Sequence, residues 1–553
     1  MNQPLVEVDG LSLRVSLAGQ SIVRDVSFRI GAGEIVGIVG ESGSGKTMVA
    51  RSLMGLQPPA IAVSGGDIRF EGRSLRSLSA RELRALRGAR LGMVFQEPMT
   101  SLNPSMTIGR QLEEPLRLHT RLNAAARRGR ILDILRRVGI HDPEGALTAF
   151  PHQFSGGMRQ RIMLASAMLL RPSLLIADEP TTALDALVQR EVLELMLEMV
   201  RGESTALLMI SHDLPMVARY CDRIIVMRQG EIVEQGPVEE IISRPKHAYT
   251  RELLHSMPVR GPARAIAPTL EPVVEVRGLA VEYRVNAGLL ARKAVKKALH
   301  GVDLAVRPGE IVALVGASGS GKTTLGRCIA GLVPASAGRI LFGGEEIKPG
   351  SAAWRTYRLN CQMIFQDPFG SLDPRMKIAD LVGEALRHER ETTAAGKAER
   401  VRTILEEVGL DGRYLDRYPH ELSGGQRQRV AIARAVIGRP RFVIADEAVS
   451  ALDVTVRAKV LELIADLQRR YGFSCLFISH DLGVVEQLAD RVVVMRDGAI
   501  VEEGSRDAVF DAPRSAYTRA LLSAIPTLIR TETGVSLNWR FAPEAGAPAA
   551  ALQ

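Results

Sequence analysis

Four short motifs recur in this chain at one fixed spacing. Ser155-Gly156-Gly157 returns as Ser423-Gly424-Gly425, Asp178-Glu179 as Asp446-Glu447, Ala183-Leu184-Asp185 as Ala451-Leu452-Asp453, and Ser211-His212-Asp213 as Ser479-His480-Asp481, each 268 residues later. A period that long means two copies of a whole domain, not a solenoid of small units. The loop Gly40-Glu41-Ser42-Gly43-Ser44-Gly45-Lys46-Thr47 returns as Gly316-Ala317-Ser318-Gly319-Ser320-Gly321-Lys322-Thr323 after 276 residues, so the copies differ by small insertions near their starts. The copies also end alike, in His247-Ala248-Tyr249-Thr250-Arg251 and Ser515-Ala516-Tyr517-Thr518-Arg519. A chain of 553 residues exceeds one hydrophobic core. The expected domains are 4–257 and 273–526, joined by a linker over 258–272 in which Pro258, Pro262, Pro268 and Pro272 break any helical period. Such a stretch reaches roughly 45 Å. Residues 536–553 turn to Ala, Pro and Gly and read as a disordered tail.

Each G-x-x-x-x-G-K-T loop has flanks that give it chemical meaning. Ile35 to Val39 is a continuous apolar run, as a buried parallel strand requires, and Met48 to Met54 reads as a helix. Strand, glycine loop, helix is the context of a phosphate cradle. The glycines let backbone N–H groups turn onto the β- and γ-phosphates, and the helix N-terminus adds its dipole. Lys46 and Lys322 supply point charges, and the Thr47 and Thr323 hydroxyls are ligands for Mg²⁺.

The remaining constellations follow in order. Val6 to Val8, Leu11 to Val15 and Ile22 to Ile30 alternate like antiparallel strands. Leu91 to Phe95 reads as a buried strand ending at Gln96, whose counterpart is Gln366. Gln96-Glu97-Pro98 and Gln366-Asp367-Pro368 are each followed by Ser-Leu-Asx-Pro. That pairing favours a glutamine that touches Mg²⁺ and the attacking water over a plain strand terminus. From Met106 to Ala149 the period becomes helical, with Ile131, Leu132, Ile134, Leu135 and Val138 on one face, answered by Val401, Ile404, Leu405 and Val408. Ser155-Gly156-Gly157 and Ser423-Gly424-Gly425 then start long helices, either as simple caps or as anion sites with free N–H groups. Apolar strands deliver Asp178-Glu179 and Asp446-Glu447. Adjacent carboxylates on a strand point opposite ways, so Asp178 and Asp446 are expected at Mg²⁺ and Glu179 and Glu447 at the water. His212 and His480 arrive at the same sheet edge, where ligands of α/β sheets bind.

Composition narrows the setting. Hydrophobic content of 46% and charged content of 24% are ordinary for a soluble globular protein, and the net charge of +9 suits an anionic nucleotide without pointing to nucleic acid. Cys221, Cys328, Cys361 and Cys475 lie far apart, as buried thiols of a reducing compartment rather than a zinc or disulfide frame. No leader is read at the N-terminus and no apolar run reaches 18 residues, so a cytoplasmic protein is expected.

Taken together, these residues resemble the ATP-binding subunit of ABC transporters, with two nucleotide-binding domains fused in one chain. The resemblance covers about residues 4–258 and 272–526. It implies an α/β fold of two tandem P-loop NTPase domains, each with a mainly parallel sheet core, an antiparallel β subdomain and a helical subdomain. It also implies ATP and Mg²⁺ as cofactors, two composite sites and ATP hydrolysis. In that family each ATP lies between one domain's phosphate loop and the other's Ser-Gly-Gly turn. One site would join Lys46, Glu179 and His212 to Ser423 and Gly425, and the other Lys322, Glu447 and His480 to Ser155 and Gly157. The Gln-Glu/Asp-Pro-x-x-Ser-Leu-Asx-Pro stretches and the Ala-Tyr-Thr-Arg ends are similar to the dipeptide, oligopeptide and nickel uptake branch. That branch implies two integral membrane permease subunits, a substrate-binding protein beyond them, and a peripheral place on the cytoplasmic face of the inner membrane. One chain would then serve one transporter as an intramolecular pseudo-dimer.

Two residues depart from the family pattern without removing a phosphate contact: Met158 stands for the usual Gln, and Ala448 for the Pro after Glu447. Tyr283 falls where the family stacks an aromatic on adenine, against Val15 in the first half, and reads either as that stacker or as an ordinary sheet aromatic. Stacking predicts tighter ATP binding at the Lys322 site. The competing function is a twin-domain soluble ATPase of ribosomes or DNA. The short Pro-containing linker and the absence of zinc cysteines or a long coiled-coil insert argue against it. Glutathione, longer peptides and nickel are not distinguished by these residues.

Overall fold

The computed structural model describes residues 3–16, 19–96, 101–181, 184–258, 260–261, 270–285, 294–388, 393–450, 452–524, 527–531 and 534–538. Glu97, Pro98, Ala183, Ala451, linker residues 262–269 and residues 539–553 of the expected tail lie outside them. The chain forms two compact units, one of Met1–Ser256 together with Pro526–Trp539 and the other built on Met257–Ile525.

The first unit runs β1 (Val6–Val15), β2 (Ser21–Ile30), β3 (Ile35–Val39), β4 (Ile61–Phe70), β5 (Arg73–Ser74), β6 (Leu91–Val94), β7 (Leu174–Asp178), β8 (Ala206–Ser211), β9 (Arg223–Arg228) and β10 (Glu231–Pro237). Two sheets result, an antiparallel one ordered β2-β1-β4-β5 and a six-stranded one ordered β10-β9-β3-β8-β7-β6. The second sheet is parallel except for β10, which runs antiparallel to β9. All five residues of β3 are buried, consistent with its place between two parallel neighbours. The two runs read at 6–8 and 11–15 are one strand with register shifts between Val8 and Leu11, where Gly10 takes a φ of 61°. A β-bulge of this kind breaks the alternation that a strand shows in sequence. Val6, Val8, Leu11 and Leu13 share a core with Val36, Ile38, Leu208 and Ile210, and with Val49, Ala50 and Leu53 of the helix Lys46–Leu53. The glycine loop is therefore anchored at both ends in one hydrophobic core, each large side chain contributing about 1.5–3 kcal/mol.

The second unit repeats the plan with β11 (Val274–Val285), β12 (Ala294–Val306), β13 (Ile311–Val315), β14 (Ala337–Phe342), β15 (Glu345–Glu346), β16 (Cys361–Ile364), β17 (Phe442–Asp446), β18 (Ser474–Ile478), β19 (Arg491–Arg496) and β20 (Ala499–Ser505). Its sheets are ordered β12-β11-β14-β15 and β16-β17-β18-β13-β19-β20. Between the glutamine strand and the Ser-Gly-Gly turn, the first unit carries the helices Ile108–His119, Ala124–Arg137 and Pro143–Thr148. The apolar face read there is buried, as are Val401, Ile404, Leu405 and Val408 in the second unit. Each unit thus has a mainly parallel sheet, an antiparallel sheet and a helical subdomain.

Two segments differ from simple expectation. Within the stretch read as a linker, the Arg260 guanidinium donates from Nε to Glu486 (2.7 Å) and from both terminal nitrogens to Asp511 (2.7 Å each), inside the second unit. A disordered tail does not begin at residue 536. Gly534–Asn538 pairs antiparallel with Thr527–Thr531, because Val535 and Leu537 continue a strand period before the Ala-Pro composition sets in.

Candidate active site

Strand order assembles the site. In the first unit β3, β8, β7 and β6 are successive neighbours. Their carboxyl ends therefore deliver, side by side, the loop from Gly40, then Ser211-His212, then Asp178-Glu179, then Gln96. The neighbours β13, β18, β17 and β16 do the same for Gly316, His480, Asp446-Glu447 and Gln366. Ligands of parallel α/β sheets bind at this edge.

The loop geometry is nearly identical in the two units. Gly40 and Gly316 have φ of 156° and 151°, and a Cβ on either would lie 2.1 Å from a backbone oxygen, of Met227 or Met495. Gly45 and Gly321 cap the following helices in the left-handed region, with φ of 95° and 101°. Gly43 and Gly319 are left-handed as well. Lys46 Nζ donates to the carbonyls of Gly40 and Glu41 (2.7 Å each) and to Ser44 Oγ (3.2 Å). Lys322 Nζ donates to Gly316 and Ala317 (2.8 Å each) and to Ser320 Oγ (3.5 Å). Both lysines are buried. Ser42 and Ser318 stand exposed at the loop tips.

Beside each loop lies a linked polar set. Thr47 Oγ1 donates to Asp178 Oδ1, and Thr323 Oγ1 to Asp446 Oδ1, both at 3.1 Å. Burial pushes both aspartates above the usual carboxylate range, and the neighbouring glutamates add to that against the threonine hydrogen bonds. Oδ2 of Asp446 is buried without a hydrogen-bond partner. A buried carboxylate oxygen beside a threonine hydroxyl is oxygen-donor chemistry that a hard divalent cation takes, so Thr323 and Asp446, with Thr47 and Asp178 as their counterparts, fit Mg²⁺.

Gln96 Nε2 donates to Glu179 Oε2 at 2.8 Å, and Gln366 Nε2 to Glu447 Oε2 at 2.7 Å. The other carboxylate oxygen lies 3.3 Å from His212 Nδ1 in the first unit and 3.4 Å from His480 Nδ1 in the second. The hydrogen bond to Glu447 raises the His480 pKa. Burial alone would raise Glu447, but His480, Lys322 and Gln366 outweigh it and hold the carboxylate below its ordinary value. The carboxylates do not part by strand alternation, as the sequence reading had it. β7 and β17 stop at the aspartates, and Glu179 and Glu447 lie just beyond with φ of 46° and 47°. Left-handed backbone on a non-glycine residue costs about 1–2 kcal/mol. The Glu179 and Glu447 N–H groups, bonded to the carbonyls of Ile210 and Ile478 at 2.9 Å, hold the turn.

The Ser-Gly-Gly turns cap helices Gly156–Met168 and Gly424–Val436, Ser155 and Ser423 accepting from the N–H of residues 158 and 426. In the second unit Gln426 Oε1 also accepts from the Ser423 N–H (2.9 Å), closing a capping box. Met158 has no group for that bond. A Cβ on Gly157 or Gly425 would meet Cγ1 of Val188 (2.5 Å) or Val456 (2.7 Å), whereas one on Gly424 would meet nothing within 4 Å. Asp185 and Asp453 cap the next helices, accepting from the N–H of Val188 and Val456. Tyr283 lies on β11 and is 42% exposed, so its ring is open to a ligand. The sequence reading missed Tyr249 and Tyr517, whose hydroxyls reach the glycine loops; their recurrence at matching domain ends was the available signal.

Fold and site together define an ATP-binding cassette of the P-loop type, present twice. The ABC transporter family pattern matches residues 23–182 and 299–450. The chain belongs to the ABC transporter family, and as such it binds and hydrolyses ATP. Residues 233–276 and 501–543 match the oligopeptide/dipeptide transporter C-terminal region. The peptidoglycan transport ATP-binding protein YejF of Agrobacterium fabrum is 47% identical over 538 residues, covering 96% of this chain and 98% of that protein. The glutathione import ATP-binding protein GsiA of Salmonella choleraesuis is 44% identical over 569 residues, covering 95% and 90%. GsiA of Pectobacterium atrosepticum is 42% identical over 559 residues, covering 94% and 89%. Nothing among these supports the ribosome or DNA alternative.

Proposed function

We propose that the chain is the ATP-hydrolysing motor of a membrane importer for short peptides. The observation that carries this is the pair of C-terminal segments of oligopeptide/dipeptide transporter type, one closing each cassette. The named cargoes of the relatives, peptidoglycan and glutathione, share short peptide portions.

In this mechanism the Lys46 and Lys322 ammonium groups stay on the Gly40 and Gly316 carbonyls and turn from the Ser44 and Ser320 hydroxyls to the β- and γ-phosphate oxygens of ATP, joined by N–H groups of residues 42–47 and 318–323. Thr47, Asp178 and Gln96 would hold Mg²⁺ in one site, and Thr323, Asp446 and Gln366 in the other. Held there, magnesium would supply positive charge to offset the charge that develops on the transferring phosphate. Glu179 and Glu447 orient and polarise the attacking water, kept in place by the glutamine and histidine hydrogen bonds. His212 and His480 face the γ-phosphate. Ser155-Gly156-Gly157 and Ser423-Gly424-Gly425 each open a helix whose first N–H groups are suited to triphosphate oxygens.

Among the described residues no helix is long and apolar enough to cross a membrane. By analogy with the import and transport ATP-binding proteins it is similar to, its partners are two integral permease subunits and, through them, a substrate-binding protein, with this chain peripheral on the cytoplasmic face. Affinity purification of the tagged chain from solubilised membranes, with and without ATP, tests the reading. Recovery of two polytopic membrane proteins is expected. Recovery of ribosomes or DNA in their place overturns it.

A further inference from the structure

The peptide group between residues 40 and 41 carries two hydrogen bonds in opposite directions. Its carbonyl, from Gly40, accepts from Lys46 Nζ at 2.7 Å, and its N–H, from Glu41, donates to the hydroxyl of Tyr249 at 3.0 Å. The second unit repeats the pair: Gly316 accepts from Lys322 Nζ at 2.8 Å, and the Ala317 N–H donates to Tyr517 Oη at 2.9 Å. A trans peptide is planar and its N–H and C=O point opposite ways. Holding the N–H therefore fixes where the carbonyl points, and here it points at the lysine.

The tyrosines are themselves held firmly. Tyr249 is fully buried and Tyr517 nearly so. The Arg228 guanidinium lies 4.7 Å from the Tyr249 ring centre, and that of Arg496 lies 5.2 Å from the Tyr517 ring centre. The helices Ala248–His255 and Ala516–Ser523 are seated by Glu234 and Glu502, each accepting from two backbone N–H groups just ahead of the helix. The turns between β9 and β10 and between β19 and β20 hold the loop from another side, since the N–H of Gly230 donates to the Ser44 carbonyl (3.1 Å) and that of Gly498 to the Ser320 carbonyl (2.9 Å).

We propose that Tyr249 and Tyr517 are positioning residues for ATP binding, orienting the peptide plane that aims the phosphate-binding lysine. Each acts through its lysine and touches no substrate. The peptide-transporter terminal region is thereby built into the nucleotide site of its own unit. This rests on Lys46 and Lys322 as phosphate ligands, which the test addresses separately.

The experiment uses the full chain with Tyr249→Phe and Tyr517→Phe, each removing one hydroxyl. Fluorescent ATP-analogue titration and steady-state hydrolysis are read together with melting of the nucleotide-free protein. The expected result is a KM for ATP raised roughly five-fold at the altered site with kcat within two-fold, the size of one lost hydrogen bond. Amide exchange at Glu41 or Ala317 should accelerate while exchange elsewhere in the same unit stays unchanged. An unchanged KM and unchanged exchange at those amides overturn the proposal. So does a loss of kcat and KM that merely follows a lowered melting temperature. Lys46→Ala and Lys322→Ala are measured in parallel. If they leave nucleotide binding intact, the phosphate-loop reading fails; if they abolish it while the phenylalanine variants are silent, only the tyrosine proposal fails.

Discussion

Alanine at Gly424 and at Gly425 separates packing from chemistry within one helical turn. Neither glycine has a positive φ, so backbone strain does not enter. At Gly425 the new methyl would stand 2.7 Å from Val456 Cγ1, whereas at Gly424 it has 4 Å of free space. Val456 lies on the helix Val454–Tyr471, and a β-branched side chain in a helix has one strongly preferred rotamer. Relief must come largely from shifting the helix, an overpacking cost of about 1–3 kcal/mol. Against this stands the gain of alanine over glycine, at most about 1 kcal/mol and smaller in a first turn. Gly425→Ala therefore destabilises the second unit by about 1–2 kcal/mol, a drop of roughly 3–6 °C for a domain of this size. Gly424→Ala is neutral or stabilising by up to roughly 0.5 kcal/mol. If the turn receives phosphate, that same methyl blocks the approach, and turnover at the one site it serves falls about ten-fold or more, roughly halving phosphate release by the whole chain, while the fold is intact. Calorimetry and phosphate release on both variants decide it. Equal melting losses would refute the packing argument, and a stable, fully active Gly424→Ala would refute the role given to the turn.

Met158→Gln should restore in the first unit the capping bond that Gln426 makes to Ser423 in the second, raising stability by about 0.5–1 kcal/mol in thermal melts. Glu502 is held below its ordinary value of 4.5, since burial alone would raise it but the hydrogen bonds it accepts prevail. Its contribution is therefore present above pH 4.5 and lost as pH falls through the lower folded value. The melting deficit of Glu502→Gln against the wild type should be clear at pH 7 and shrink on acidification. Tyr283→Ala should weaken ATP at the Lys322 site by about 1–3 kcal/mol if the ring stacks on adenine. Equal affinities at the two sites of the unaltered chain would remove that asymmetry.

What could be read ahead of the structure was whatever local pattern and duplication carry. The strands into Gly40 and Asp178 are continuous apolar runs with one sensible fate, and the apolar face at Ile131 to Val138 has a helical period. What escaped depended on backbone turns and distant contacts. The direction of Glu179 comes from a left-handed turn that no propensity of glutamate announces. The bond from Glu41 to Tyr249 spans 208 residues and leaves no periodic trace. The seat of Arg260 on Glu486 and Asp511 was hidden because prolines dominate its neighbourhood.

The central claim is that Glu179 and Glu447, placed beside the two glycine loops, drive ATP hydrolysis. Its most direct test is phosphate release by the double variant Glu179→Gln, Glu447→Gln, with nucleotide binding measured on the same sample. The expected result is undiminished ATP binding with turnover lowered about a hundred-fold or more. Turnover within two-fold of the unaltered chain would contradict it.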